Sequence, residues 1–381
     1  MTLPGTAGPA VDELPADPDD RSEDDLAALP EASPGRLFWR AFRRHRIAFV
    51  SMIVLALMYL VALVPEFLAP TGPEALQAAY AYAPPQAVRF DGGLHVFDYT
   101  SEVDPRTNAI SYSVDESRRI DVGLFVRGEP YRLFGLIPGD RHLIGPVDPS
   151  RPFFLLGADA NGHDLLSRLI YGTRISLSVG LIGVLLAFVL GILLGGLSGY
   201  FGGRVDNAIQ RLIEFFMSIP TLPLWLALAA ALPTSWGPVQ RYFAITVILA
   251  IVAWTGLARV VRGRFLALRS DEFVLAAQLD GNSALRTTLR HMLPSFTSHL
   301  IAQLTLSVPG MIIAETSLSF LGLGLAPPAV SWGVLLQAAQ NIRAVATAPW
   351  LLIPGIAVVI AVLALNFLGD GLRDAADPYH R

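Results

Sequence analysis

The chain has 381 residues, 53% aliphatic or aromatic and 16% charged, with a net charge of −4 and a mean hydropathy of +0.50. Soluble domains carry about 25% charged residues, so this composition excludes an ordinary soluble domain and points to a chain that crosses a bilayer several times. There is no cysteine, hence no disulfide or thiol chemistry. All 28 basic residues are arginine, so a GxxxxGK[ST] loop is excluded, because its lysine is what reaches the nucleotide phosphates.

In chain order, residues 1–35 are acidic and rich in Pro and Ala (DELPADPDDRSEDDLAALPEASP). Such a segment buries too little apolar surface to fold alone and reads as a disordered tail. Residues 36–67 combine a basic stretch (Arg36, Arg40, Arg43, Arg44, Arg46) with a first hydrophobic run, Ile47–Phe67. That run begins only near Ile47 and no basic n-region opens the chain, so the N-terminus does not read as a cleavable signal. Crossing roughly 30 Å of hydrocarbon takes about 20 helical residues. Ile175–Leu197, Arg211–Leu232 (interrupted by Pro220 and Pro223), Tyr242–Val261, Ser298–Leu321 and Trp350–Leu368 also qualify. The predicted fold is an all-α polytopic membrane protein with six transmembrane helices.

The arginines before the first span place the N-terminus in the cytoplasm, and six crossings return the C-terminus there. That parity puts Glu66–Arg174 outside, where Arg151, Arg168 and Arg174 run against the trend. Long external loops translocate largely regardless of charge, so the parity stands. Residues 68–155 are too long for a simple connection. Their apolar–polar alternation (AVRFDGGLHVFDY, ISYSVDESRRIDVGLFVRG, YRLFGLI), with a hairpin turn expected at Asp91-Gly92-Gly93, predicts a small β-rich extracytoplasmic insert. The plainer reading is a loosely ordered loop with a few strands. Gly162–Arg174 is amphipathic and is expected to run along the outer interface. Residues 156–381 form the core, with five of the six spans.

Between the fourth and fifth spans lies a charged loop, 262–295, containing DEFVLAAQLDGNSALRTTLRHMLP (Asp271–Pro294). Ser270 or Asp271 caps a first short helix, and Gly281 suits its left-handed C-terminal position. Asn282 or Ser283 caps a second, on which Arg286 and Arg290 are i,i+4 neighbours, as are Leu285 and Leu289. Ala276 and Ala277 leave room for close approach by a partner, and Pro294 ends the unit. This reads as a rigid knob for docking a soluble partner; the bland alternative is a helix pair lying on the inner leaflet.

Charged residues at membrane depth default to functional hypotheses. Glu214 reads as an interfacial partner of Arg211. Glu315, near the outer end of the fifth span, reads as a structural or interface residue in preference to a pathway contact. Asn366, toward the end of the last span, joins them as a pathway or interface candidate. Nothing supports catalysis or a metal site: the seven histidines are scattered without HExxH spacing, and GLSGY lacks the GxSxG spacing of a nucleophile elbow.

The knob resembles the coupling-loop signature of ABC-importer permeases. Ala276, Ala277, Gly281 and Leu293-Pro294 match, while Leu275 stands where the pattern has Glu. Four more stretches resemble the C-type subunit of dipeptide, oligopeptide and nickel permeases. They are LGADANGHDLLSRLIYGTRISLSVG (Leu156–Gly180), GGRVDNAIQRLIEFFMSIPTLPL (Gly202–Leu224), ETSLSFLGLGLAPPAVSWG (Glu315–Gly333) and NFLGDGLRDAADP (Asn366–Pro378). In the first, His163 replaces Arg and Ala158 replaces Thr.

The resemblance implies a permease subunit of the bacterial inner membrane that carries peptides or similar small solutes. It implies pairing with a B-type permease subunit, two nucleotide-binding ATPase subunits and an extracytoplasmic solute-binding protein. It also implies no cofactor in this chain, ATP and Mg being bound by the partners, and no nucleic acid. The loop 262–295 becomes the ATPase-coupling loop, carried by Leu275, Ala276, Ala277, Gly281, Arg286, Arg290, Leu293 and Pro294. The rival is a secondary transporter or channel without an ATPase; it predicts inverted repeats and intramembrane ionisable clusters, and neither is visible.

Overall fold

The computed structural model describes residues 34–103, 105–106 and 110–376. The expected acidic tail therefore lies outside the described residues up to position 33. The basic stretch forms helix α1 (Pro34–Arg44), and α2 (Arg46–Leu63) is the first span. His45 separates them: its Nδ1 accepts the Ala48 N–H at 3.1 Å and caps α2. The span stops at Leu63, short of the expected Phe67, because Pro65 opens a separate turn, Pro65–Leu68.

Helix α3 (Leu165–Phe201) is the central element and packs against α2, α6 and α9. The expected third span is two helices, α4 (Gly203–Ser218) and α5 (Thr221–Ala230), bent by 86° at Ile219–Pro220. Pro223 falls in the first turn of α5, where a missing N–H goes unnoticed. Then come α6 (Pro238–Leu268), α9 (Thr297–Phe320) and α10 (Ile353–Ala376). Among the described residues five helices are long and apolar enough to cross a membrane, or six if the bent pair is one span.

Lipid gives helices no hydrophobic reason to associate, so close backbone approach has to hold them. Gly191, Gly195 and Gly199 recur every fourth residue along α3 and face α6. A Cβ on Gly191 would lie 2.9 Å from the Leu257 Cβ, and one on Gly199 would lie 2.8 Å from the Arg262 carbonyl oxygen. Gly180 and Gly183 do the same toward Ile312 and Met311 of α9.

Outside the bundle, β1 (His95–Val103), β2 (Ile110–Leu133) and β3 (Ile137–Pro146) form an antiparallel sheet in the order β1-β2-β3. The long β2 pairs its first half with β1 (Val103↔Ile110 to His95↔Asp121) and its second half with β3 (Val122↔Pro146 to Leu133↔Ile137). The β-rich insert expected from alternation is thus present. Gly92 and Gly93, at φ +71° and +113°, turn the chain between the bridged Arg89 and His95. The module has its own core: Val96, Ile120, Val122 and Phe153 on one side, Tyr99, Phe154 and Ala83 on the other.

One expectation is overturned here. Gly162–Arg174 is not a separate segment ahead of the second span; from Leu165 it is the first part of the continuous α3. Its charges are turned inward and matched. Arg174 donates two hydrogen bonds to Glu66, at 2.6 and 2.8 Å, and others to the Ala62 and Leu63 carbonyls. Arg168 pairs with Asp159, which also accepts from His163. Asp164 caps α3, its Oδ2 accepting from the Ser167 N–H at 2.8 Å and the Ser167 hydroxyl at 2.6 Å. Thr71, beyond the first span, hydrogen-bonds the same hydroxyl oxygen at 3.0 Å. With partners supplied by distant segments, the helix has no reason to tilt into the headgroups.

Two outcomes follow. A side chain at Gly195 would collide with the Ala258 backbone, so Gly195→Leu lowers the stability of the detergent-solubilised chain by about 3 kcal/mol, read as a drop in melting temperature. Burial pushes the Asp164 carboxyl up to about 6, against the hydrogen bonds from Ser167 and Leu166. Its folded value lies above its unfolded one, so this group's contribution is present at low pH and is lost as pH rises through about 6. Asp164→Asn removes that loss, on the order of 2 kcal/mol, and its melting advantage over the parent grows between pH 5 and pH 7.5.

Candidate functional site

The knob begins three residues after α6. Helix α7 (Glu272–Leu279) ends at Gly281, whose φ of +77° suits the left-handed position that sheds least strain on glycine. Asp271 stands at the N-cap of α7 without a side-chain hydrogen bond, and Ser283 caps the second helix by accepting from the Arg286 N–H. That second helix differs from expectation: α8 (Ala284–Thr287) is one turn and continues as a π turn over Thr288–Met292. Pro294 has no N–H for the carbonyl four residues back, and the chain widens so that the Leu293 N–H reaches the Thr288 carbonyl.

The knob is stiff because it has a core of its own. Val274 and Met292 are fully buried and pack with Val261, Phe265, Phe296 and Leu300 from the ends of α6 and α9. Asn282 closes the corner, its Nδ2 donating to the Ala277 carbonyl at 2.8 Å. The two alanines do not share a face: Ala277 is buried and Ala276 is exposed. Outward stand Leu275 (46% exposed), Leu279 (89%), Leu285 (65%) and Leu289, with Phe273. Arg286 and Arg290 are also exposed, Leu293 is half-buried, and Pro294 is exposed. Residues 262–268, expected as loop, remain helical within α6.

At the break between α4 and α5 a cleft of about 570 Å³ opens toward α3, α6 and α9. Its lining is uncharged and mostly apolar, with Thr221, Thr255 and Ser307 among it. Phe216, Ile219, Pro220 and Trp225 come from the broken helix, and Phe188, Leu257 and Met311 from the others. The indole N–H of Trp225 is buried with no acceptor, and Thr255 and Ser307 turn their hydroxyls back onto their own helices.

The charged candidates lie apart from this cleft. Glu315 is fully buried, and its Oε1 accepts from Ser319 and Ser331 at 2.8 Å each. Ser331 also caps the following helix, and Ser319 accepts the Leu325 N–H, so Glu315 fastens the chain after α9 back onto it. Glu214 pairs with Arg211 at 2.8 Å, both exposed. Asn366 is half-buried on α10. The residues that sequence reasoning missed are Asp206 and Arg262, joined in a bidentate pair. Neither stands out in the sequence: Asp206 lies between Arg204 and Arg211, and Arg262 among Arg259, Arg264 and Arg269.

The pattern of binding-protein-dependent transport system inner membrane components matches residues 187–380, a stretch that holds the knob and most of the cleft. The chain belongs to this family. Residues 33–85 match the N-terminal TM domain of oligopeptide transport permease C. Over 243 residues the chain is 39% identical to the oligopeptide transport system permease protein OppC of Haemophilus influenzae, covering 64% of this chain and 76% of the relative. The dipeptide transport system permease protein DppC of Lactococcus lactis is 32% identical over 343 residues, 89% of each chain. A solved structure of the MetNI methionine ABC transporter in inward-facing conformation aligns with 55% of this chain at 20% identity and a TM-score of 0.43. The chain is thus a permease subunit of an ABC importer, a non-catalytic multi-pass component of the inner membrane. It forms half of the translocation pathway and works with an ATPase and a binding protein.

Replacing Glu315 by Ala strands two buried hydroxyls. Glu315→Ala is expected to lower stability by about 3 kcal/mol, whereas Glu315→Gln, which keeps an acceptor, loses about 1 kcal/mol. Thermal unfolding of the purified chain distinguishes the two.

Proposed function

We propose that this chain is the C-type permease subunit of a peptide importer, paired with a B-type subunit across the membrane. In this reading the cleft at the α4–α5 break supplies its share of the pathway. A mostly apolar, uncharged wall suits side chains of varied character, because it offers no fixed charge to select among them. ATP and Mg are bound by two partner subunits, since no phosphate-loop lysine exists in this chain. ATP-driven closure of those subunits displaces the docked knob, and the bundle tilts with it.

The observation that carries the reading is the knob: an apolar outer face with two arginines, held by its own core at the end of two membrane helices. A lipid-lying helix pair would turn such leucines toward the bilayer; here Val274, Ala277 and Met292 already fill the side toward the bundle. Its docking residues are Leu275, Ala276, Ala277, Gly281, Arg286, Arg290, Leu293 and Pro294. Glu315, Glu214 and Asn366 act at interfaces within the bundle or with the second subunit. Both termini are cytoplasmic. Arg151, Arg168 and Arg174, which run against that orientation, are matched by Asp148, Asp159 and Glu66. Arg36, Arg40, Arg43, Arg44 and Arg46 have no carboxylate partner among the described residues. The β-rich insert meets the binding protein.

Co-purification tests the docking. Arg286→Glu reverses charge on the exposed face, and Gly281→Trp places a side chain where φ is positive. Each is expected to weaken ATPase retention by about 30-fold, the scale of an interface hot spot. ATPase retained at the parental level by both variants would overturn the reading.

A further inference from the structure

Arg262 and Asp206 form a half-buried bidentate pair. Arg262 Nε lies 2.5 Å from Asp206 Oδ1, and Nη2 lies 2.6 Å from Oδ2. The Ser198 hydroxyl adds a donor to Oδ1 at 2.5 Å, and Gln210 donates to Ser198 at 3.3 Å. The Asp206 side chain is 13% exposed. A bidentate guanidinium–carboxylate pair fixes direction as well as distance, so this contact can transmit push, pull and twist between the elements that carry it.

Those elements are the ones that matter. On α6, Arg262 lies between Val261 and Phe265, both fully buried in the core that pins the knob. The same two turns therefore hold the knob on one side and α4 on the other. Helix α4 follows directly on α3, whose Ser198 bonds to Asp206 and Gln210; beyond that its hold is slight, and Ile213 is its one buried residue. Its contacts with α6 run along a single stripe, in which Ile209, Ile213 and Phe216 face Ala250, Trp254 and Ala258. The Phe216 and Trp254 rings meet edge-on at 6.3 Å. Above Phe216, α4 ends at Ile219 and Pro220, in the wall of the cleft.

We propose that the Arg262–Asp206 pair is the positioning link that carries displacement of the knob to the helix break, and so changes the shape of the cleft. It rests on the docking reading above. Without the pair, α6 still moves with the knob, but α4 stays with α3 and meets α6 along one stripe of apolar contacts that can slip along its axis. With it, the first turn of α4 is tied to α6, and the break must follow.

The chain has no cysteine, which allows a readout that needs no transported solute. Thr221→Cys places the chain's single thiol in the cleft wall. Its labelling by a membrane-impermeant maleimide is followed on this chain, in the intact complex, with and without ATP plus vanadate. In the otherwise native chain, trapping is expected to change the labelling rate about tenfold. Added Asp206→Asn or Arg262→Gln is expected to shrink that change to below about twofold while ATP hydrolysis by the complex continues. The exchange Asp206→Arg with Arg262→Asp is expected to restore most of it, which a merely structural defect would not allow. Two results overturn the link: a full labelling change in Asp206→Asn, or no change in the native chain despite hydrolysis. A native preparation without any ATPase instead removes the docking reading.

Discussion

Helices α3 and α6 touch backbone to backbone, and the rest of the molecule is arranged around that contact. In hydrocarbon the gain from burying a leucine against another leucine is small, since lipid offers the same surroundings. What remains is dispersion at short range, and three glycines four residues apart let two helices reach it. The pair so formed is the stiff body of the bundle. Helix α9 packs onto the same helix through Gly180 and Gly183. The knob grows from the end of α6 and the start of α9, and the β-rich module is tied to the start of α3 at the other end of the bundle.

The two ends of the bundle use arginine differently. At the end that carries the sheet, guanidinium groups are consumed in structure: Arg168 and Arg174 are matched by Asp159 and Glu66, and surface pairs such as Arg119–Asp121 line the sheet. At the other end several have no carboxylate partner among the described residues, on α1 and on the knob. A matched charge holds a fold in place, whereas a bare one is available to something else. The exceptions there are Arg211, matched by Glu214, and Arg262, matched by Asp206 where α4 meets α6.

The sequence revealed much of this unevenly, for physical reasons. Long apolar runs announce spans because length and hydropathy are local properties. The turn at Gly281 and the cap at Ser283 were legible because a positive φ and a capping hydroxyl each ask for particular residues. Which of two adjacent alanines faces inward was not legible, since neighbours on a helix point about 100° apart and the core they meet comes from other helices. The outer part of α3 was misread because its charges were weighed without partners: Glu66 is 108 residues from Arg174. Arg262 and Asp206, 56 residues apart, were invisible for the same reason.

Helix α3 has 37 residues, about 55 Å at 1.5 Å per residue, nearly twice the hydrocarbon thickness. It is a mast passing through the deck. Its foot is the glycine seam beside Arg262; its head, capped by Asp164, stands beside Thr71 and Asp159. One unbroken helix therefore sets the span between that seam and the segments that lead into and out of the sheet.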